Sequence, residues 1–305
     1  MNTPFIAVGR VIYKTIPFKP YVFRLLRWMW TPPQSIYQHL HFSGDFTILV
    51  DADHSFKICN RGADYNTLFW RGIAGGGTSL EIWKRLSRNA RVIIDIGAHN
   101  GLYALLSRSV NKTATIVAFE AVERIFEVMK ENVAINGYVI TTENMAVSDR
   151  AGEAMFYDLP GDQPVAGSLD AEIAVLRPDC VPISIKTTRL DGYLSSKGIE
   201  APDLIKIDVE RHEPSVLRGM EDFLCERKPS LIIEILTEEV ATLAGSLLRG
   251  LGYTFYSIND KLWHIEPVET LSPRGVIGQN FLICTSDITS SYLADLVRNS
   301  ASVAC

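Results

Sequence analysis

No run of eighteen apolar residues occurs in the 305-residue chain, so a membrane-spanning helix is not expected. Cysteine is sparse. Cys59, Cys180, Cys225, Cys284 and Cys305 are scattered, odd in number and never spaced as Cys-x-x-Cys. That argues against a disulfide framework and a zinc knuckle, and it is the thiol usage of a reducing cytoplasm. A positive excess is missing too. With 30 Lys and Arg against 35 Asp and Glu the net charge is −5, so the basic footprint of a nucleic-acid binder is absent. Internal repeats and low-complexity tracts are also lacking.

One absence is local. No Asp or Glu precedes Asp45, while Arg10, Lys14, Lys19, Arg24 and Arg27 alternate with Phe18, Tyr21, Phe23, Trp28 and Trp30. Lys14, Pro17, Lys19 and Pro20 interrupt any signal-peptide core. Two readings follow: an arm packed on the domain with its aromatics buried, or a basic aromatic segment, residues 1–30, lying on an anionic membrane surface. The expected location is the cytoplasm, with at most peripheral contact at the inner membrane face.

What is present suits one large domain with a smaller lobe: 47% of residues are hydrophobic and 21% charged. The expected division is an arm and small α+β extension over 1–88, a main domain over 89–286, and a C-terminal helix or tail over 287–305. Phe46–Val50 and Ser55–Cys59 read as a hairpin, and Gly75-Gly76-Gly77 as a loop before a helix near Ser79–Leu86. From residue 91 strands and helices alternate. Val92–Ile96, Thr115–Glu120, Ile140–Val147, Asp203–Asp208, Leu231–Ile235, Tyr253–Ser257 and Asn280–Cys284 are the expected strands. Helices are expected over Leu102–Val110, Ile125–Asn136 and Ser215–Cys225. The fold class is α/β: a Rossmann-like, mostly parallel seven-stranded sheet with helices on both faces.

In such a sheet, ligands meet the carboxyl ends of the strands. The first strand runs into Asp95-Ile-Gly97-Ala98-His99-Asn100-Gly101. Two glycines allow close backbone approach, and the helix that follows favours an anionic group at its N-terminus. The dinucleotide pattern Gly-x-Gly-x-x-Gly is missing, because Asp95 stands at its first glycine. Glu120 ends the second strand, 25 positions later, where an acid can accept hydrogen bonds from both ribose hydroxyls. This combination fits S-adenosylmethionine, whose carboxylate would face the helix and whose ammonium would meet Asp95 directly or through water. Its adenine would lie beside Asn144, Met145, Ala146 and Val147. His99 and Tyr103 flank the first loop, and Ala121 follows Glu120.

Lys206-Ile-Asp208-Val-Glu210-Arg-His212-Glu213 leaves the fourth strand. Acids there can cap the next helix, as expected for Glu213. Asp208, at the strand tip, is expected to face the cleft and the cofactor, as is Glu234 at the end of the fifth strand. Methyl transfer to a hydroxyl needs alignment and a base. Asp208, Glu210 and Glu234 are the expected catalytic residues, with His212 a weaker alternative. A divalent metal held by these carboxylates is an alternative, but capping and hydrogen bonding account for the acids equally well, so no metal site is expected.

These segments resemble the FkbM-type methyltransferases over roughly residues 64–236. The resemblance runs through Asn66–Gly72, Ile94–Tyr103, Ala118–Ala121, Asn132–Asn136, Ala146–Asp149, Leu190-Asp191, Ile205–Glu210, Glu213, Val216–Gly219 and Pro229–Glu234. Two positions depart from the family pattern. Ala121 replaces a proline, and Arg211 replaces the glycine of Asp-Val-Glu-Gly-x-Glu. The resemblance implies adenosylmethionine-dependent O-methylation of a sugar, glycoconjugate or natural-product hydroxyl, so the partner is a small-molecule or glycan acceptor. It implies nothing about oligomeric state. Two alternatives stand beside it: a nucleotide-dependent oxidoreductase on the same fold, and a non-catalytic membrane- or partner-binding module.

Overall fold

The first described elements form a lobe around a hairpin. The computed structural model describes residues 19–37, 39–40, 43–60, 65–159, 168–169, 179–273, 275 and 279–298. Helix α1 (Lys19–Met29) and the short α2 (Gln34–Tyr37) flank Pro32-Pro33. Strands β1 (Gly44–Leu49) and β2 (Ser55–Asn60) then pair antiparallel, with Phe46 opposite Ile58 and Ile48 opposite Phe56. Asp51 closes their turn by accepting from the N–H groups of Asp53 and His54 at 3.0 and 2.9 Å. Alternation turns Phe46, Ile48, Phe56 and Ile58 inward, onto α3 (Asn66–Arg71) among others, where Phe69 meets Phe46 edge-on at 5.4 Å.

The expected loop at Gly75–Gly77 is helical instead. A 3₁₀ turn, Gly72–Gly76, runs straight into α4 (Gly77–Ser87). Trp83 of α4 is fully buried and donates its Nε1–H to the Tyr103 carbonyl at 2.9 Å and to Ser107 Oγ at 2.8 Å. Burying such a side chain is worth about 1.5–3 kcal/mol, and here it fastens the lobe to the first helix of the main sheet.

That sheet begins with β3 (Val92–Ile96), buried at every position as a central parallel strand requires. It is followed by α5 (Leu102–Val110), β4 (Thr115–Phe119), α6 (Glu123–Ile135) and β5 (Thr141–Glu143). A small sheet interrupts: β6 (Ala146–Val147), β7 (Gly152–Asp158) and β8 (Val181–Thr188), in the order β6-β8-β7. The main sheet resumes through α7 (Leu190–Lys197), β9 (Leu204–Ile207), α8 (Glu213–Arg218), α9 (Glu221–Glu226) and β10 (Ser230–Glu234). It ends with α10 (Glu238–Leu248), β11 (Thr254–Asn259), β12 (His264–Val268), β13 (Asn280–Cys284) and α11 (Ser286–Tyr292).

The order is β12-β11-β13-β10-β9-β3-β4-β5, with β5, β4, β3, β9 and β10 parallel and β13 antiparallel between β10 and β11. The Rossmann-like α/β class is as expected, but the sheet has eight strands, not seven. The extra one, β12, carries Pro267, which reads as a strand breaker. It is tolerated because β12 is an edge strand, joined on its outer side, among the described residues, only by a bridge from Ile265 to Val297.

Two further departures bear on the site. The single strand expected over 140–147 is split between the main sheet and the small one. The single helix expected over 215–225 is split at Gly219. A Cβ there would lie 2.1 Å from the Ser148 carbonyl oxygen, so the close approach admits only glycine. The chain runs outward from β3 through β4 to β5, then returns to the other side of β3 with β9. That reversal opens a crevice at the carboxyl ends of β3, β4 and β9.

Candidate active site

The crevice is walled by backbone on one side and apolar side chains on the other. Ile96, Gly97 and His99 follow β3, Phe119 to Val122 follow β4, and Asp208 to Glu210 follow β9. Ile125, Met145, Ala146, Val147, Phe156 and Leu169 supply the apolar wall. Gly97 has φ +73°, and its N–H and that of Ala98 both donate to the Phe119 carbonyl, at 3.0 and 2.9 Å. Glu120 caps the neighbouring loops. One carboxylate oxygen accepts the His99 N–H and the other the Val122 N–H, both at 2.9 Å. Burial pushes Glu120 up to about 7, although those N–H groups pull it down.

Deeper in, four ionisable groups converge. Asp208, Glu210 and Glu234 bring one carboxylate oxygen each within 4.8 Å of one another. Lys206, only 2% exposed, donates to Asp208 Oδ2 at 2.8 Å and lies 5.2 Å from the centre of the Tyr103 ring. Asp208 keeps 37% of its side chain open to the crevice but sits deep in the protein. Burial pulls its pKa up; the Lys206 ammonium and hydrogen bonds from Lys206 and Glu234 outweigh that and hold it below the ordinary range. Burial and the adjacent Asp208 charge push Glu234 well up, so it is the partner that carries the shared proton. Glu210 rises to about 7, through burial first and Asp208 second. An ionised carboxylate beside two that favour the neutral form is a division of labour suited to acid–base work.

Of the residues expected from sequence to contact a cofactor, Gly97, His99, Glu120, Ala121, Ala146, Val147 and Asp208 line the crevice. Asp95, Ala98, Asn100, Gly101 and Tyr103 do not. Asp95 lies beneath it, 1% exposed, accepting the Ala104 N–H at 3.0 Å in the first turn of α5. Burial raises it to about 7 against the pull of Lys206. Its position inside β3, one residue before the strand end, turns it toward that helix rather than the opening. Asn100 bonds the Tyr65 hydroxyl and braces the loop, and Gly101 is the N-cap of α5. Glu210 and His212 line the crevice, with His212 Nε2 2.9 Å from Ser148 Oγ. Asn144 donates to the Glu120 and Ala121 carbonyls, so it braces the loop after β4 from outside the crevice.

Sequence reasoning assigned no role to Lys206, Ile125, Phe156 or Leu169. A lysine inside an otherwise apolar strand was the available signal for the first. The other three come from separate elements and are assembled only by the small sheet packing over α6.

Arg211 carries a cost that its sequence position explains. Glu210 and Arg211 have φ +55° and +76° in succession, and the second is where the resembled family keeps glycine. Arg211→Gly is therefore expected to stabilise the protein by about 1 kcal/mol, the left-handed penalty less the chain entropy of glycine. Urea unfolding measures it, and no gain would mean that side-chain contacts of Arg211 offset the backbone strain.

Residues 95–255 match the methyltransferase FkbM domain family. The chain is 28% identical over 221 residues to the 31-O-demethyl-FK506 methyltransferase FkbM of Streptomyces tacrolimicus, covering 63% of this chain and 83% of that one. It is 30% identical over 175 residues to the 2-O-methyltransferase NoeI of Sinorhizobium fredii, covering 52% and 71%. Among solved structures it is similar to methyltransferase FkbM from Methylobacillus flagellatus, at 15% identity and a TM-score of 0.41, over 64% of this chain and 43% of that one.

Proposed function

Because the chain belongs to the FkbM methyltransferase family, we propose that it transfers the methyl group of S-adenosylmethionine to a hydroxyl of a sugar, a glycoconjugate or another natural product. The observation that carries this reading is the convergence of Asp208, Glu210 and Glu234 beside the crevice that Glu120 closes. The hydroxyl as acceptor atom is supported by the names of two relatives, which are O-methyltransferases. Neither the oxidoreductase nor the non-catalytic module finds support among them.

The crevice suits this cofactor in chemistry. Glu120 offers carboxylate lone pairs for ribose hydroxyls, the wall of Ile125, Met145, Val147 and Phe156 suits a flat apolar base, and Gly97 and His99 put backbone against the remainder. Asp208, held ionised, balances a cationic ligand. Bound there, S-adenosylmethionine supplies an electrophilic methyl group on a sulfonium centre.

This chain's residues would do the rest. Glu210, raised to about 7, would take the proton that the acceptor hydroxyl gives up, and Asp208, whose charge Lys206 preserves, would hold that hydroxyl in line. Glu234, protonated, would hold Asp208 in place by hydrogen bonding. His212 would help orient the acceptor. The Lys206 ammonium already places positive charge against the three acids, so activity is expected to persist in excess chelator.

Two measurements test the reading. Glu120→Ala should weaken adenosylhomocysteine binding by roughly 1–3 kcal/mol, about 5- to 150-fold, in calorimetric titration. Labelled methyl transfer from S-adenosylmethionine into an extract, followed by mass spectrometry, should place the label on oxygen. Label on carbon or nitrogen, or well-folded protein that binds no adenosylhomocysteine, overturns it.

No helix among the described residues is long and apolar enough to cross a membrane. We read the protein as cytoplasmic, with peripheral contact at the inner membrane face through residues 1–30, of which 1–18 lie outside the described residues.

A further inference from the structure

Helix α1 is apolar on two opposite faces. On one, Phe23 is 1% exposed and meets Trp70 at 5.9 Å between ring centres. Arg27 donates to the Thr47 carbonyl at 3.0 Å and lies 5.2 Å over the Phe69 ring, and Arg24 donates to the Asp45 carbonyl. These contacts fix how the helix is turned. At 3.6 residues per turn, Tyr21, Leu25 and Trp28 fall opposite Phe23. They are 67%, 59% and 83% exposed, and Met29 and Trp30, at the helix exit, are 60% and 52% exposed. Single exposed apolar residues are ordinary, but five large ones gathered on a helix of eleven residues and its exit mark a docking surface.

Charge selects the partner. The first 44 residues hold five basic side chains and no acid, a net +5, while the remaining 261 hold 25 basic and 35 acidic, a net −10. In a two-fold dimer a second copy of the chain would set this positive segment against itself. An anionic bilayer would attract it, and tryptophan beside basic residues is the composition that settles at the headgroup level. We propose that α1 docks the protein on an anionic lipid surface, with Leu25, Trp28, Met29 and Trp30 entering the headgroup–acyl boundary. This rests on the peripheral-contact reading above and is independent of the methyl acceptor. The same lobe touches the loop after β3, since Tyr65, just before α3, is hydrogen-bonded to Asn100 there.

The test uses the full chain, sedimented with phosphatidylcholine vesicles with and without phosphatidylglycerol. Protein is expected to pellet with the anionic vesicles only, and less at high salt. Trp28→Ser combined with Trp30→Ser should lower that binding about 10-fold or more, leaving the melting temperature and adenosylhomocysteine binding unchanged. Protein that stays in solution with anionic vesicles overturns the proposal, as does a double variant that binds like the parent. A parent that self-associates while the variant is monomeric, neither binding vesicles, assigns the face to a second copy instead. Loss of adenosylhomocysteine binding in the parent would sink the methyltransferase reading and leave this one standing.

Discussion

Alanine at position 97 is expected to cost about 2–5 kcal/mol of stability and to lower methyl transfer roughly 100-fold. Two effects add. The left-handed backbone, φ +73°, disfavours any side chain by about 1–2 kcal/mol. A Cβ would also lie 1.8 Å from the Asp208 carbonyl oxygen and 2.8 Å from its carbon, and forcing extra bulk into a packed site costs about 1–3 kcal/mol more. The chain cannot yield cheaply, because the Asp208 N–H is bonded to the Ile96 carbonyl at 3.0 Å and Gly97 to Phe119 at the same distance. Whatever moves therefore carries Asp208 with it, and a shift of about 1 Å in a group that aligns the reactants can cost 100-fold in rate. Gly137→Ala is the control: its φ is +61° with open space around it, so it should show the backbone penalty alone. Urea unfolding of both variants, with activity of the first, decides the matter. Equal costs at the two positions would mean that the contact between Gly97 and Asp208 is not rigid.

Residue 97 also shows what could be read from sequence. Central parallel strands announce themselves, because burial on both faces leaves runs such as Val92-Ile-Ile and Leu231-Ile-Ile that fit little else. The hairpin was legible for the complementary reason, its strict alternation about a polar turn. The features missed were those in which tertiary packing overrides local chemistry. Pro267 sits in a strand because the sheet ends there. The Gly75-Gly76-Gly77 stretch is helical because Gly77 lies against Asp260, which accepts the Ser79 N–H at 2.7 Å.

Within the site, residues at strand tips were legible and those one step inside were not. Glu120 and Asp208 line the crevice as their positions implied. Asp95 stands within β3 rather than at its tip, and that single step turns its carboxylate to the N-terminus of α5 instead of the crevice. The apolar wall was illegible for another reason: Ile125, Phe156 and Leu169 are far apart in the chain, and no period or spacing joins them. The same holds for Lys206, whose significance depends on charges contributed by β3, β9 and β10.

Replacing Lys206 with methionine should therefore have consequences out of proportion to an isosteric change. The ammonium is 2% exposed, and its field falls on Asp208, Asp95 and Glu234 at once. Removing one member of a buried pair typically costs about 3–5 kcal/mol, since the survivor keeps its desolvation penalty without compensation. The pH dependence identifies the cause. In the parent, Asp208 is held below its unfolded value, so its stabilisation is present above that value and is lost as pH falls through the folded one. In Lys206→Met burial is expected to outweigh the remaining Glu234 hydrogen bond and raise Asp208, and the sign of its contribution reverses: its stabilisation is greatest in acid and declines as pH rises. The gap between parent and variant is thus expected to widen between about pH 4 and pH 8. Thermal melts across that range measure it, and a gap independent of pH would assign the loss to packing. Adding Asp208→Asn should restore part of the stability while leaving methyl transfer abolished. That pairing separates the two roles that β9 combines: Lys206 makes a buried carboxylate affordable, and Asp208 uses the charge so preserved.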